Sequence, residues 1–160
     1  MSPTTRLPRV IARVTGVVAI LCALFGFLYN AQSLAVAFSG GFTDYLASQQ
    51  DLAYFYPAFY LMSGVCIAFY SLLLTFGVCF VRLQLWCASL LAILLALELM
   101  YFLSIGVLWA ALGEVAMSVA AATGVANGGL MAQFIILFPL WGPVAAIWSR
   151  RRLTPEMRAT

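Results

Sequence analysis

Histidine and lysine are both absent from the 160 residues, and charged side chains of every kind make up only 8% of them. Without histidine there is no imidazole to ligate haem, zinc or copper, or to move protons near neutral pH. Without lysine no Schiff base with retinal or pyridoxal can form. The four cysteines, Cys22, Cys66, Cys79 and Cys87, never take the C-x-x-C spacing of a redox or metal motif. They read as free thiols that pack as small hydrophobes. Closely spaced carboxylate pairs, a glycine-rich phosphate loop and a serine or cysteine beside a base are missing too. No catalytic residue, metal or cofactor is therefore assigned, and a non-enzymatic role is expected. The one conceivable acid–base pair is Glu98 with Tyr101, at adjacent positions of one helix.

What remains is apolar. Hydrophobic residues make up 65% of the chain, with a mean hydropathy of +1.06. A water-soluble domain of this size cannot hide so much apolar surface, so the bilayer must act as solvent. All eight basic residues are arginines: Arg6, Arg9 and Arg13 near the start, Arg82 alone in the middle, and Arg150, Arg151, Arg152 and Arg158 near the end. Cytoplasmic flanks of membrane spans retain arginine and lysine, so this spacing implies four crossings with both termini and the central hairpin inside. Asp44, Asp51 and Glu114 then fall outside. The basic face is expected to attract anionic lipid headgroups. A nucleic-acid partner is not expected, because these arginines flank spans rather than cover a folded surface.

The chain thus reads as a single integral membrane domain over 1–160. The fold expected is an all-α, four-span antiparallel transmembrane helix bundle, with spans at about 10–36, 57–81, 83–109 and 130–149, each long enough to cross the hydrocarbon core. Short length and arginine usage suggest a bacterial inner membrane. The first span is expected to be an uncleaved signal anchor, its apolar stretch being longer than a signal core. Residues 39–56 carry tyrosine and phenylalanine at roughly helical spacing, which predicts a short interfacial helix in the first outer loop. Pro57 suits the first helical position of span two. An alanine-rich stretch over 110–128 predicts a short outer helix before span four, stopped by Asn127-Gly128-Gly129. A fifth crossing there would place Arg150–Arg152 outside and Glu114 in hydrocarbon. Pro139 and Pro143 predict a kink near 138–144.

Glu98 is the sharpest feature. Counted from the cytoplasmic start of its helix it lies about 22 Å up, in the outer half of the membrane. An ionisable group there is costly and is a functional candidate by default. With every arginine at the far end, a neutral Glu98 that donates a hydrogen bond is expected. Asn30, Gln133 and Ser63 fall at comparable depth on the other spans, so the four are expected to form a polar intramembrane cluster, joined directly or through water.

Two stripes of small residues stand out: Gly64, Ala68, Ser71 and Thr75 on span two, and Ala88, Ala92 and Ala96 on span three. Small faces allow close helix approach and weak polar contacts across it. The function expected is that of a small membrane protein working by helix–helix association, as a homo-oligomer or as an accessory subunit of a larger complex with another membrane protein. The alternative, from a different class, is a small channel or a proton- or cation-coupled transporter using Glu98.

Overall fold

In the computed structural model, residues 3–42, 52–112 and 116–157 are described. They form five α-helices and no strand: α1 (Pro3–Phe38), α2 (Leu52–Val81), α3 (Cys87–Leu112), α4 (Ala116–Ile135) and α5 (Phe138–Met157). Arg6–Phe38, Phe55–Val81 and Cys87–Ile105 are each long and apolar enough to cross a membrane. The pair α4–α5, bent by 58° at its break, makes a fourth if counted as one span.

Helix ends follow from local chemistry. The end of α1 is a Schellman motif: the Gly41 amide donates to the Val36 carbonyl at 3.0 Å, the Gly40 amide to Ala37 at 3.2 Å, and Gly40 takes the left-handed backbone with φ 75°. The end of α2 repeats it. The Gln84 amide donates to Cys79 at 2.9 Å and the Leu83 amide to Phe80 at 3.0 Å, but the left-handed position is held by Leu83, at φ 60°. A leucine there costs roughly 1–2 kcal/mol that glycine would not.

Three expectations need correction. α2 begins at Leu52, with Pro57 inside the helix rather than at its start. α3 begins at Cys87, after a turn through residues 82–86, rather than at Leu83. Asn127-Gly128-Gly129 does not stop a short outer helix, because α4 runs straight through it to Ile135. Glycine is a weak helix former but not a barrier, and here close packing decides. A Cβ on Gly129 would lie 3.0 Å from the Gly26 Cα and 2.5 Å from the Tyr70 hydroxyl, and one on Gly128 would collide with the Tyr29 ring. The glycines let α4 cross α1 and α2 at contact distance. The break comes instead at Ile136–Leu137, just upstream of the expected kink. Pro139 explains the offset, since in a continuous helix its ring would clash with the carbonyl of Ile135. The interfacial helix expected over 39–56 has its centre, 43–51, outside the described residues.

α1 packs along α2 through Gly16 and Gly77, where a Cβ on Gly16 would lie 2.8 Å from the Gly77 carbonyl oxygen. α5 packs on α3 and α1, and α4 on α2 and α1. The buried apolar residues fall in two clusters. The larger, toward the arginine-bearing ends, includes Ala12, Ala19, Leu73, Phe80, Leu91, Leu95, Phe138 and Ala146. The smaller, at the opposite end, centres on Ala37, Phe55, Phe59, Ala122 and Ala126. At the arginine-bearing end the Arg150 guanidinium donates to the Ser89 hydroxyl, tying α5 to α3, and Arg152 lies over the Trp148 ring.

Candidate functional site in the bundle core

The polar core residues are presented from four helices. On α1, Asn30 lies between Phe27, which packs on the larger cluster, and Leu34, which packs on the smaller. On α2, Ser63 lies between Phe59 and Cys66, which divide the same way. On α4, Asn127 follows Ala126 of the smaller cluster and precedes Leu130 of the larger. Glu98 on α3 follows Leu95 by one turn. All are buried: Glu98, Asn30, Ser63 and Asn127 are 1% exposed, Gln133 2%. A polar layer therefore crosses the bundle, with Asn30, Ser63 and Asn127 at the junction of the two apolar clusters and Glu98 and Gln133 flanked by residues of the larger one.

Hydrogen bonding within this layer is incomplete. Asn30 donates from Nδ2 to the Tyr70 hydroxyl and to the Gly26 carbonyl, both at 3.3 Å. Asn127 Oδ1 accepts from the Cys66 thiol and from the Tyr101 hydroxyl, both at 3.0 Å. Glu98 Oε1, Ser63 Oγ, Asn30 Oδ1, Asn127 Nδ2 and both side-chain polar atoms of Gln133 have no partner among the described residues. Buried polar atoms are ordinarily paired, since each orphan costs about 1–3 kcal/mol. So many in one layer mark a place where the chain does not optimise its own stability.

All four residues of the expected cluster are buried, but none of Asn30, Ser63 and Gln133 is hydrogen-bonded directly to Glu98. Tyr101 does not pair with Glu98 either, its hydroxyl being engaged by Asn127 and by Met62 Sδ at 2.9 Å. Sequence reasoning missed Asn127, Cys66 and Tyr70 as members of this layer, and singled out Tyr101 only as a partner for Glu98. The available signal was spacing: Ser63, Cys66 and Tyr70 fall on one face of a 3.6-residue helix. Among the described residues no three cysteine or acidic side chains converge as a metal site would require.

The small-residue stripes have different fates. Gly64, Ala68, Ser71 and Thr75 all face outward. A Cβ on Gly64 would meet nothing within 4 Å, and the hydroxyls of Ser71 and Thr75 donate to carbonyls one turn back, each at 2.8 Å. On α3 the stripe winds from buried Ala88 through half-buried Ala92 to exposed Ala96. Close packing inside the chain uses Ala12, Gly16, Gly26, Gly77 and Gly142 instead. No family model, curated protein or solved structure matches this chain.

Proposed function

We propose that the chain is one integral membrane domain over 1–160 whose four spans are α1, α2, α3 and the bent pair α4–α5, with both termini on the cytoplasmic side of a bacterial inner membrane and the arginines against anionic headgroups. It acts without catalysis, by associating through the outward face of α2 with another copy or with another membrane protein. The observation that carries this reading is the stripe Gly64, Ala68, Ser71 and Thr75, which is exposed and which no other helix fills among the described residues. In lipid, association depends on close backbone approach rather than on hydrophobic burial, and small residues permit that approach. Energy transfer between labelled copies in liposomes tests it, together with pull-down from native membranes. Gly64→Leu and Ser71→Leu should each weaken the interaction while Leu72→Ala, beside the stripe, should not. A monomer at every density, with no partner recovered, defeats the reading. Topology is checked separately: reporters after Arg82 and Arg152 should read as internal, one after Ser48 as external.

A second reading is supported by a separate observation, the buried Glu98 carboxyl with an unpartnered oxygen in a layer of further unpartnered polar groups. Such a residue suits proton or cation handling at membrane depth. Acidification of dye-loaded liposomes under an imposed potential tests it. Flux that Glu98→Gln abolishes supports this reading, and absence of flux in the wild type removes it.

A further inference from the structure

Between α1 and the break in α4–α5 lies a lateral cavity of about 330 Å³. Its mouth is walled by Leu21, Phe25, Ile135 and Ile136, all exposed, Leu21 at 60% and Ile135 at 83%. Cys22 and Gln133 line its interior. The Gln133 side chain is 2% exposed, and neither its Nε2 nor its Oε1 has a hydrogen-bond partner among the described residues. The volume falls at the lower end of the range for small-molecule sites. Water is a poor tenant, since an ordered water needs two to four polar partners and the lining offers little beyond one amide.

We infer that this groove binds a single fatty-acyl chain, with the neutral carboxylic acid at its end paired to Gln133. The inference rests on the four-span reading, under which the mouth opens sideways into hydrocarbon. Cys22 then lies about 13 Å along α1 from Arg13, within the apolar core rather than at the headgroups. Among the described residues no charged side chain lines the groove, so a phosphate, an ammonium or an ionised carboxylate would be buried without a counter-charge. The amide edge of Gln133 presents one donor and one acceptor side by side. A neutral carboxylic acid satisfies both at once, its O–H donating to Oε1 while its carbonyl accepts from Nε2. An ester carbonyl only accepts and leaves Oε1 orphaned, which disfavours a diacyl lipid or a methyl ester. An alkane satisfies neither.

The test uses the full chain reconstituted in phosphatidylcholine vesicles, with a trace of palmitic acid carrying a diazirine near its carboxyl end. After photolysis, label is expected in peptides containing Leu21–Phe25 and Ile135–Ile136. Excess palmitic acid and palmitamide should displace it, whereas methyl palmitate and hexadecane should not. Gln133→Leu should lower the displaceable label about tenfold, as expected for the loss of two net hydrogen bonds. Ile136→Trp, which narrows the mouth and leaves Gln133 in place, should lower it as well and decides the matter if Gln133→Leu does not fold. Label displaced equally by methyl palmitate and hexadecane, or insensitive to both variants, overturns the site and leaves ordinary lipid contact. Protein that floats with the vesicles but takes no displaceable label defeats the groove alone. Protein that fails to float with them defeats the membrane-spanning reading and the groove with it.

Discussion

Replacing Glu98 by methionine should stabilise this protein. A buried carboxyl can be structural, holding helices together by hydrogen bonds, or it can be retained against the interests of the fold. The two cases predict opposite signs. Glu98 is 1% exposed, its Oε1 has no partner among the described residues, and no hydrogen bond joins it to Asn30, Ser63 or Gln133. Methionine matches its length and lack of branching, so it fills the same space with little strain. The gain is the removed penalty of an unsatisfied polar group, about 1–3 kcal/mol. For a chain of this size that corresponds to a rise in Tm of roughly 2–12 °C, at about 2–4 °C per kcal/mol. Glu98→Gln keeps a polar group of the same shape in the same place and should change stability by less than about 1 kcal/mol. Circular dichroism melts in one mild detergent at fixed protein concentration measure all three. A Glu98→Met variant that melts several degrees lower than wild type would mean that the carboxyl supports a bond the fold needs. The functional reading of the residue would then lose its basis.

Further substitutions probe the packing and the layer. Gly16→Ala places a Cβ against the Gly77 carbonyl and the Val81 backbone. It should destabilise by about 1–3 kcal/mol through overpacking, while Gly124→Ala, whose Cβ meets nothing within 4 Å, should be neutral or slightly stabilising in the same melts. Asn127→Leu removes the acceptor of Tyr101 and Cys66. A loss of about 1–3 kcal/mol is expected, and faster thiol alkylation of Cys66 should accompany it; unchanged melting and alkylation would show that the asparagine is dispensable. Leu137→Gly relieves a left-handed backbone at φ 53° on a side chain that is already exposed. A gain of about 1 kcal/mol is expected, and a loss of that size would show that the leucine is held by contacts of its own.

Much of this architecture was legible because two strong signals act without long-range information. Runs of apolar residues set the helices, and arginines marked where runs end, so α1, α2 and α3 lie close to their expected ranges. Position within a helix was harder. Pro57 and Pro139 both read as helix punctuation, yet α2 absorbs one and α5 begins just before the other, because the outcome depends on what else supports the adjoining turns. Asn127-Gly128-Gly129 misled for a deeper reason. A glycine pair signals a break when it is solvated and a close crossing when a neighbouring backbone needs the space, and only the packing of Gly26 and Tyr70 distinguishes them. The candidate site shows the same division. Charge alone singled out Glu98, and depth alone brought in Asn30, Ser63 and Gln133, since burial depends mainly on each residue's own span. Pairing depends on side-chain direction across helices, so the Asn127–Tyr101 and Asn127–Cys66 contacts were out of reach.

One residue links the bend to the groove. Pro139 cannot follow Ile135 in an unbroken helix, so α4 stops, Leu137 takes a left-handed turn, and α5 leaves at 58°. The Leu140 and Trp141 amides then donate to the Leu137 carbonyl at 3.0 and 3.2 Å, and the Trp141 indole donates to the Ile136 carbonyl at 2.9 Å. The break is thus capped on both sides, which satisfies backbone groups that an interrupted helix leaves open. Because α4 and α5 diverge there, neither can cover the α1 surface around Leu21 and Phe25, and the last turns of α4 set Gln133 beside the resulting gap. A straight fourth helix could place the same side chain in the core but would have no such opening beside it. The cost of the left-handed leucine, the caps and the orphaned amide therefore belong to one arrangement, in which a single proline holds a polar group of the core beside an opening in the bundle wall.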